Sequence, residues 1–137
     1  MPFRALGPAP EIAAGARGSY ALVVRLDRPA RIAVGRLGVV SLAPGDYFYC
    51  GSALSGLRAR VARHLRAEKR LRWHVDYLLA VAQIADVWAC ESPERLECRL
   101  AEELGRQPGA SHPVPGFGSS DCRCRSHLVY LGGVSSR

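Results

Sequence analysis

The 137-residue sequence predicts a single α+β domain in which a small, mainly antiparallel sheet is flanked by helices. Three observations carry that expectation. The elements run as strands, two helices, a strand, a helix and a last strand. The length is that of one domain, and neither an internal repeat nor an inter-domain linker interrupts it. The apolar fraction, 48%, is that of an ordinary globular protein, and no apolar run approaches the roughly 20 residues of a membrane span.

Residues 1–17 read as a loose lead-in, with Pro2, Gly7, Pro8 and Pro10 where a secretory signal would carry its apolar core. The folded domain is expected over residues 18–132, followed by a tail over 133–137. Tyr20 to Leu26 is β-branched and apolar and reads as a strand, ended by Asp27-Arg28-Pro29. Arg31 to Val34 and Val39 to Leu42, with Gly35 to Gly38 between them, form a hairpin. Pro44-Gly45 is a turn dipeptide before a strand from Asp46 to Cys50, which Gly51-Ser52-Ala53 punctuates.

A helix is expected from about Ser55 to Arg66, with Leu57, Val61 and Leu65 as its apolar stripe. A second, from about Arg72 to Ala82, aligns Trp73, Tyr77 and Val81, and Ile84 to Ala89 reads as a buried strand. The third helix has the clearest start, with Ser92 as N-cap, Pro93 at the first helical position and Glu94 at the positive dipole end. Leu96, Leu100 and Leu104 form its core stripe and Gly105 ends it. A long loop over residues 105–120 leads to a last strand at Ser126 to Leu131.

Charge adds a functional constraint. The net charge is +7, and of 19 basic residues all but Lys69 are arginine, the side chain best suited to bidentate phosphate contacts. Residues 57–72 concentrate seven of them (Arg58, Arg60, Arg63, Arg66, Lys69, Arg70 and Arg72) against one acid, Glu68. Such a surface attracts polyanions. The five cysteines, an odd number without an export signal, point to reduced thiols in the cytoplasm.

Phosphodiester hydrolysis needs a group that orients water, a cation that neutralises phosphate, and commonly a divalent metal ion. Tyr20 and Tyr49 carry phenols on two strands. Arg60 and His64 lie four residues apart and share one face of the first helix, the one a phosphate clamp and the other a side chain for acid–base work. Glu97, beside the third helix's apolar stripe, is a hard ligand suited to Mg²⁺.

Gly18-Ser19-Tyr20, Tyr49-Cys50-Gly51, Arg60 with His64, and Glu97 together resemble the GIY-YIG nuclease superfamily in order and spacing. The resemblance implies a small antiparallel sheet flanked by helices, with Tyr20, alone or together with either Tyr49 or His64, activating or positioning water, Arg60 on phosphate and Glu97 holding Mg²⁺ or Mn²⁺. A narrower resemblance covers nearly all the chain after about residue 16. It runs through Val34 to Gly38, Pro44 to Ala53, Arg63 to Arg66, Lys69 to Leu78 and Gly116 to Leu128, and is to a GIY-YIG-related domain sometimes fused to endonuclease III-type DNA glycosylases. It implies DNA as the partner, in repair or processing, alongside other repair proteins. Relative to the superfamily, the hairpin at about residues 31–42 is an insertion, and the usual asparagine after the glutamate helix has no counterpart. His74, Asp76 and His127 are additional polar candidates, and Arg123 and Arg125 extend the expected nucleic-acid contacts.

Three other readings compete. Cys122, Cys124 and His127, with Cys98 or another histidine, could bind Zn²⁺, although the spacing departs from C-x₂-C knuckles. A non-catalytic nucleic-acid-binding module of the same fold would use the same arginines. A basic amphipathic surface for lipid ranks last, because Leu57, Val61 and Leu65 are needed for the core.

Overall fold

A computed structural model describes residues 3–118 and 126–132. Five antiparallel strands form the main sheet in the order β1-β6-β2-β5-β7. They are β1 (Arg4–Ala5), β2 (Gly18–Leu26), β5 (Gly45–Ala53), β6 (Gln83–Glu91) and β7 (Leu128–Tyr130), and β3 (Ala30–Ala33) with β4 (Val39–Leu42) makes a separate two-stranded ribbon. Helices α1 (Leu57–Leu65), α2 (His74–Leu79) and α3 (Glu97–Gly105) complete the α+β architecture.

The sheet has a core on each face. Tyr20, Leu22, Val24 and Leu26 of β2 join Tyr47 and Tyr49 of β5 in packing against Leu57, Val61, Val75 and Leu78. The alternate residues Ala21 and Val23, with Phe48 and Cys50, pack against Leu100, Ala101 and Leu104 of α3. Successive side chains of a strand point to opposite faces. Coverage of both faces explains why β2 is apolar almost throughout. The ribbon formed by β3, β4 and the turn between them buries Val34 and Leu42 in the first core, and β3 packs alongside α2.

Several elements differ from expectation, each for a local reason. The lead-in supplies an edge strand, since Arg4 and Ala5 pair with Ala89 and Trp88 and Gly7 N–H donates to Asp86 Oδ1 at 2.8 Å. Strand β5 does not stop at Cys50 but continues through Gly51 to Ala53, opposite Gly18. On α1 the third inward position belongs to His64, which is buried, while Leu65 is 39% exposed. Helix α2 is short and turns Val75 and Leu78 inward, leaving Val81 46% exposed. Helix α3 starts at Glu97, five residues after Ser92. Ser92 Oγ accepts only the local Glu94 N–H, whereas Leu96 N–H is met by Ser19 Oγ of β2 at 2.8 Å. Among the described residues no helix is long and apolar enough to cross a membrane.

Candidate active site

Strand β7 pairs with β5 only from Tyr47 to Tyr49, so its ladder ends before Gly51 and Ser52. Beside that end of the ladder, side chains from both faces of the sheet meet in one cavity of about 390 Å³. Tyr20, Tyr49 and Arg60 reach it from the α1 side, and Ser52 and Glu97 from the α3 side. Arg72, Trp73 and His74 line it at the start of α2, and Arg95, Cys98 and His127 complete the lining.

Tyr20 depends on a glycine. Gly51 is its direct partner across β2 and β5, and a Cβ at Gly51 would lie 2.5 Å from the phenol oxygen. Gly118 plays the same part for Tyr49: its φ is +69°, and a Cβ there would come within 2.9 Å of the Tyr49 ring.

Beneath Tyr20, its hydroxyl meets His64 Nε2 at 2.7 Å. Burial pushes the Tyr20 phenol up to about 12, against the opposing pull of nearby Arg60, and pushes His64 down to about 3. Both are therefore neutral at pH 7. His64 Nδ1 is buried without a hydrogen-bond partner. Protonation at Nε2 leaves an acceptor rather than an N–H unpaired, the less costly orphan, and frees the Tyr20 proton to point elsewhere. His64 thus orients Tyr20, and it lacks the near-neutral basicity expected of it from sequence. Tyr49 is raised well above its ordinary value, mainly by burial.

Arg60 is held at two points. Its Nη1 donates to Ser52 O at 3.1 Å, and its guanidinium lies 4.7 Å from the Trp73 ring centroid. Arg63 stacks at 4.2 Å and Arg72 at 5.6 Å, so arginines surround the indole. His74 Nδ1 accepts Gly118 N–H at 2.8 Å, which puts the proton of the neutral ring on Nε2; burial lowers its pKa.

The acidic side of the cavity is as well defined. Glu97 Oε1 accepts Ser52 Oγ–H at 2.7 Å, Ser52 Oγ lies 2.6 Å from Ser19 Oγ, and Arg95 Nη1 is 3.7 Å from Glu97 Oε2. His127 Nε2 is 3.5 Å from Cys98 Sγ, and burial lowers the His127 pKa.

Not every basic residue of 57–72 faces outward. Arg63 holds buried Asp76 through two bonds of 2.9 and 3.0 Å and also donates to Arg70 O. Asp76 further accepts the Arg72 and Trp73 N–H groups. Burial alone would raise its pKa, but Arg63 and these backbone donors hold it below the usual carboxylate range. Lys69 Nζ caps the C-terminal carbonyls of α1 at Arg63 and His64. Arg63 and Lys69 therefore direct donors to the fold itself, which the sequence did not indicate. Arg58, Arg66, Arg70 and Arg72 are exposed. Arg123, Arg125, Cys122 and Cys124 lie outside the described residues. Among the described residues no three His, Cys, Asp or Glu side chains form a metal-binding group, and Cys50, Cys90 and Cys98 form no disulfide with one another.

Ser19, Ser52, Trp73 and Arg95 belong to this constellation but were not singled out by the sequence motifs. Ser19 is the middle residue of Gly-x-Tyr and Ser52 directly follows Tyr-x-Gly, so position was an available signal; the pairing of β2 with β5 was not.

A protein-family model described as "Domain of unknown function DUF123" matches residues 19–136. The chain belongs to that family. No curated protein and no solved structure matches it.

Proposed function

We propose that the protein is a metal-dependent endonuclease that hydrolyses nucleic-acid phosphodiester bonds, with DNA in repair or processing as its setting. The observation that carries this reading is the convergence of Tyr20, Tyr49, Arg60 and Glu97, from four elements, on one cavity. The choice of DNA and of repair rests on the sequence resemblance alone.

The donor set fits a hard divalent cation. Glu97 is one carboxylate in a polar cavity, and Mg²⁺ characteristically takes one or two carboxylates with water and substrate phosphate. Glu97 would hold Mg²⁺ or Mn²⁺, which when bound supplies Lewis acidity to the phosphate oxygens. Arg60, fixed by Ser52 O and Trp73, clamps a non-bridging phosphate oxygen without having to reorganise. Tyr20, protonated and braced by His64, offers its hydroxyl to water or to a phosphate oxygen. Arg72 and the Nε2–H of His74 add donors in the same cavity, and exposed Arg58, Arg66 and Arg70 attract the flanking backbone.

The test is Mg²⁺-dependent cleavage of single-stranded, nicked and branched DNA and of RNA, with Arg60→Ala and Glu97→Ala as controls. Cleavage by wild type that both substitutions abolish supports the reading. Binding that survives both, with no cleavage of any substrate by wild type, identifies a non-catalytic nucleic-acid-binding module instead.

A further inference from the structure

The serines beneath Glu97 form a hydrogen-bond chain that can run in one direction only. Ser52 donates its single proton to Glu97 Oε1, so in its 2.6 Å contact with Ser19 it must accept. Ser19 has then spent its own proton on Ser52 and accepts from Leu96 N–H at 2.8 Å. The chain leaves the backbone at Leu96, crosses β2 and β5, and ends on the side chain of the next residue, Glu97. Ser19 is 0% and Ser52 9% exposed, so water competes little for these bonds. One carboxylate oxygen is thereby engaged from below the cavity.

Glu97 Oε2 is 3.7 Å from the exposed Arg95 guanidinium, in a long, weak ion pair that a cation would displace. We propose that Ser52, oriented by Ser19, is a positioning residue for Glu97: it occupies Oε1 and leaves Oε2 as the oxygen offered to a divalent cation. This rests on the reading above for the use of the cation, and on the geometry alone for its binding. Ser19 and Ser52 are also direct cross-strand partners, and such pairs stabilise sheets in their own right. A purely structural pair would lower stability when broken and leave cation affinity unchanged. Loss of an outer partner to a metal ligand instead costs about 10–100-fold in affinity.

The experiment uses the full chain and Mn²⁺ alone, with free ion counted by electron paramagnetic resonance and folding followed by urea unfolding. Ser52→Ala is expected to weaken Mn²⁺ binding by about 10–100-fold. Ser52→Thr, which keeps the hydroxyl, should recover most of that loss, and Glu97→Gln should abolish binding. If Ser52→Ala does not fold, Ser52→Cys, a weak donor, replaces it. Affinity within twofold of wild type in Ser52→Ala, or a Thr variant as weak as the Ala, overturns the proposal. Absence of saturable Mn²⁺ binding by wild type, or equal binding by Glu97→Gln, overturns it together with the metal role of Glu97. The expected Mn²⁺ series without cleavage of any nucleic acid would sink the nuclease reading and leave this proposal standing.

Discussion

Tyr20 and Gly51 face each other across β2 and β5, and the phenol occupies the space where a side chain at residue 51 would begin. Gly51→Ala would set a methyl group 2.5 Å from the Tyr20 oxygen, which neither strand can relieve without moving. Overpacking of this kind costs about 1–3 kcal/mol. Displacement of the hydroxyl by about 1 Å can cost about 100-fold in rate. Cleavage should therefore fall further in Gly51→Ala than its modest urea destabilisation explains. Tyr20→Phe should match its activity loss while destabilising the fold by about 1–3 kcal/mol, because it leaves His64 Nε2 without its partner.

The buried imidazole of His64 makes stability pH-dependent. Its pKa drops on folding from 6.5 to about 3, so between those values the unfolded chain binds the extra proton. Stability is then fully present above about pH 6.5 and falls as pH drops toward 3. By the conversion of about 1.4 kcal/mol per pKa unit, this amounts to about 5 kcal/mol across the window. His74 and His127, also lowered by burial, add to the slope with the same sign. Asp76, held below 3.8, contributes only at more acid pH. The urea midpoint should fall steadily from pH 6.5 to 4, and His64→Gln should flatten that slope.

Strands β2 and β5 and the cavity residues Tyr20, Tyr49, Arg60 and Glu97 were legible in the sequence because their signals are local, whereas β1 and the cavity residues Ser52, Trp73 and Arg95 were not singled out. Apolar runs and turn dipeptides mark β2 and β5, and Tyr20, Tyr49, Arg60 and Glu97 stand at motif spacings. What pairs with what was not local. Ser92 offers every local feature of a helix start, yet α3 begins at Glu97, where a serine 77 residues away meets Leu96 N–H. Tertiary partners outweigh local propensity in such cases. Likewise Arg63 and Arg66 are three residues apart on one basic stretch, and nothing in that stretch says which faces Asp76.

That distinction is testable by substitution. Arg63→Ala leaves the Asp76 carboxylate, 1% exposed, without its guanidinium partner, and breaking a buried pair costs about 3–5 kcal/mol. The two backbone donors retained by Asp76 put the expectation at about 3 kcal/mol, read from urea unfolding. Arg66→Ala removes an exposed side chain and should change stability by less than about 0.5 kcal/mol. It should instead weaken nucleic-acid binding and reduce its salt dependence by about one counterion. Equal stability losses in the two variants would contradict the inward assignment of Arg63.

Arg60 separates charge from geometry. Its guanidinium donates to Ser52 O and stacks on Trp73, and the planar fork matches a phosphate where an ammonium does not. Arg60→Lys keeps the charge, so binding and its salt dependence should change little. Loss of one preorganised donor to a phosphoryl oxygen nevertheless costs about 10²–10³ in turnover. Trp73→Leu removes the stacking surface but leaves the bond to Ser52 O, so it should retain part of the activity that Arg60→Lys loses. The measurement is single-turnover cleavage beside equilibrium binding for both variants. Full cleavage by Arg60→Lys would mean that residue 60 acts as a charge alone, and would remove the phosphate clamp from the proposed mechanism.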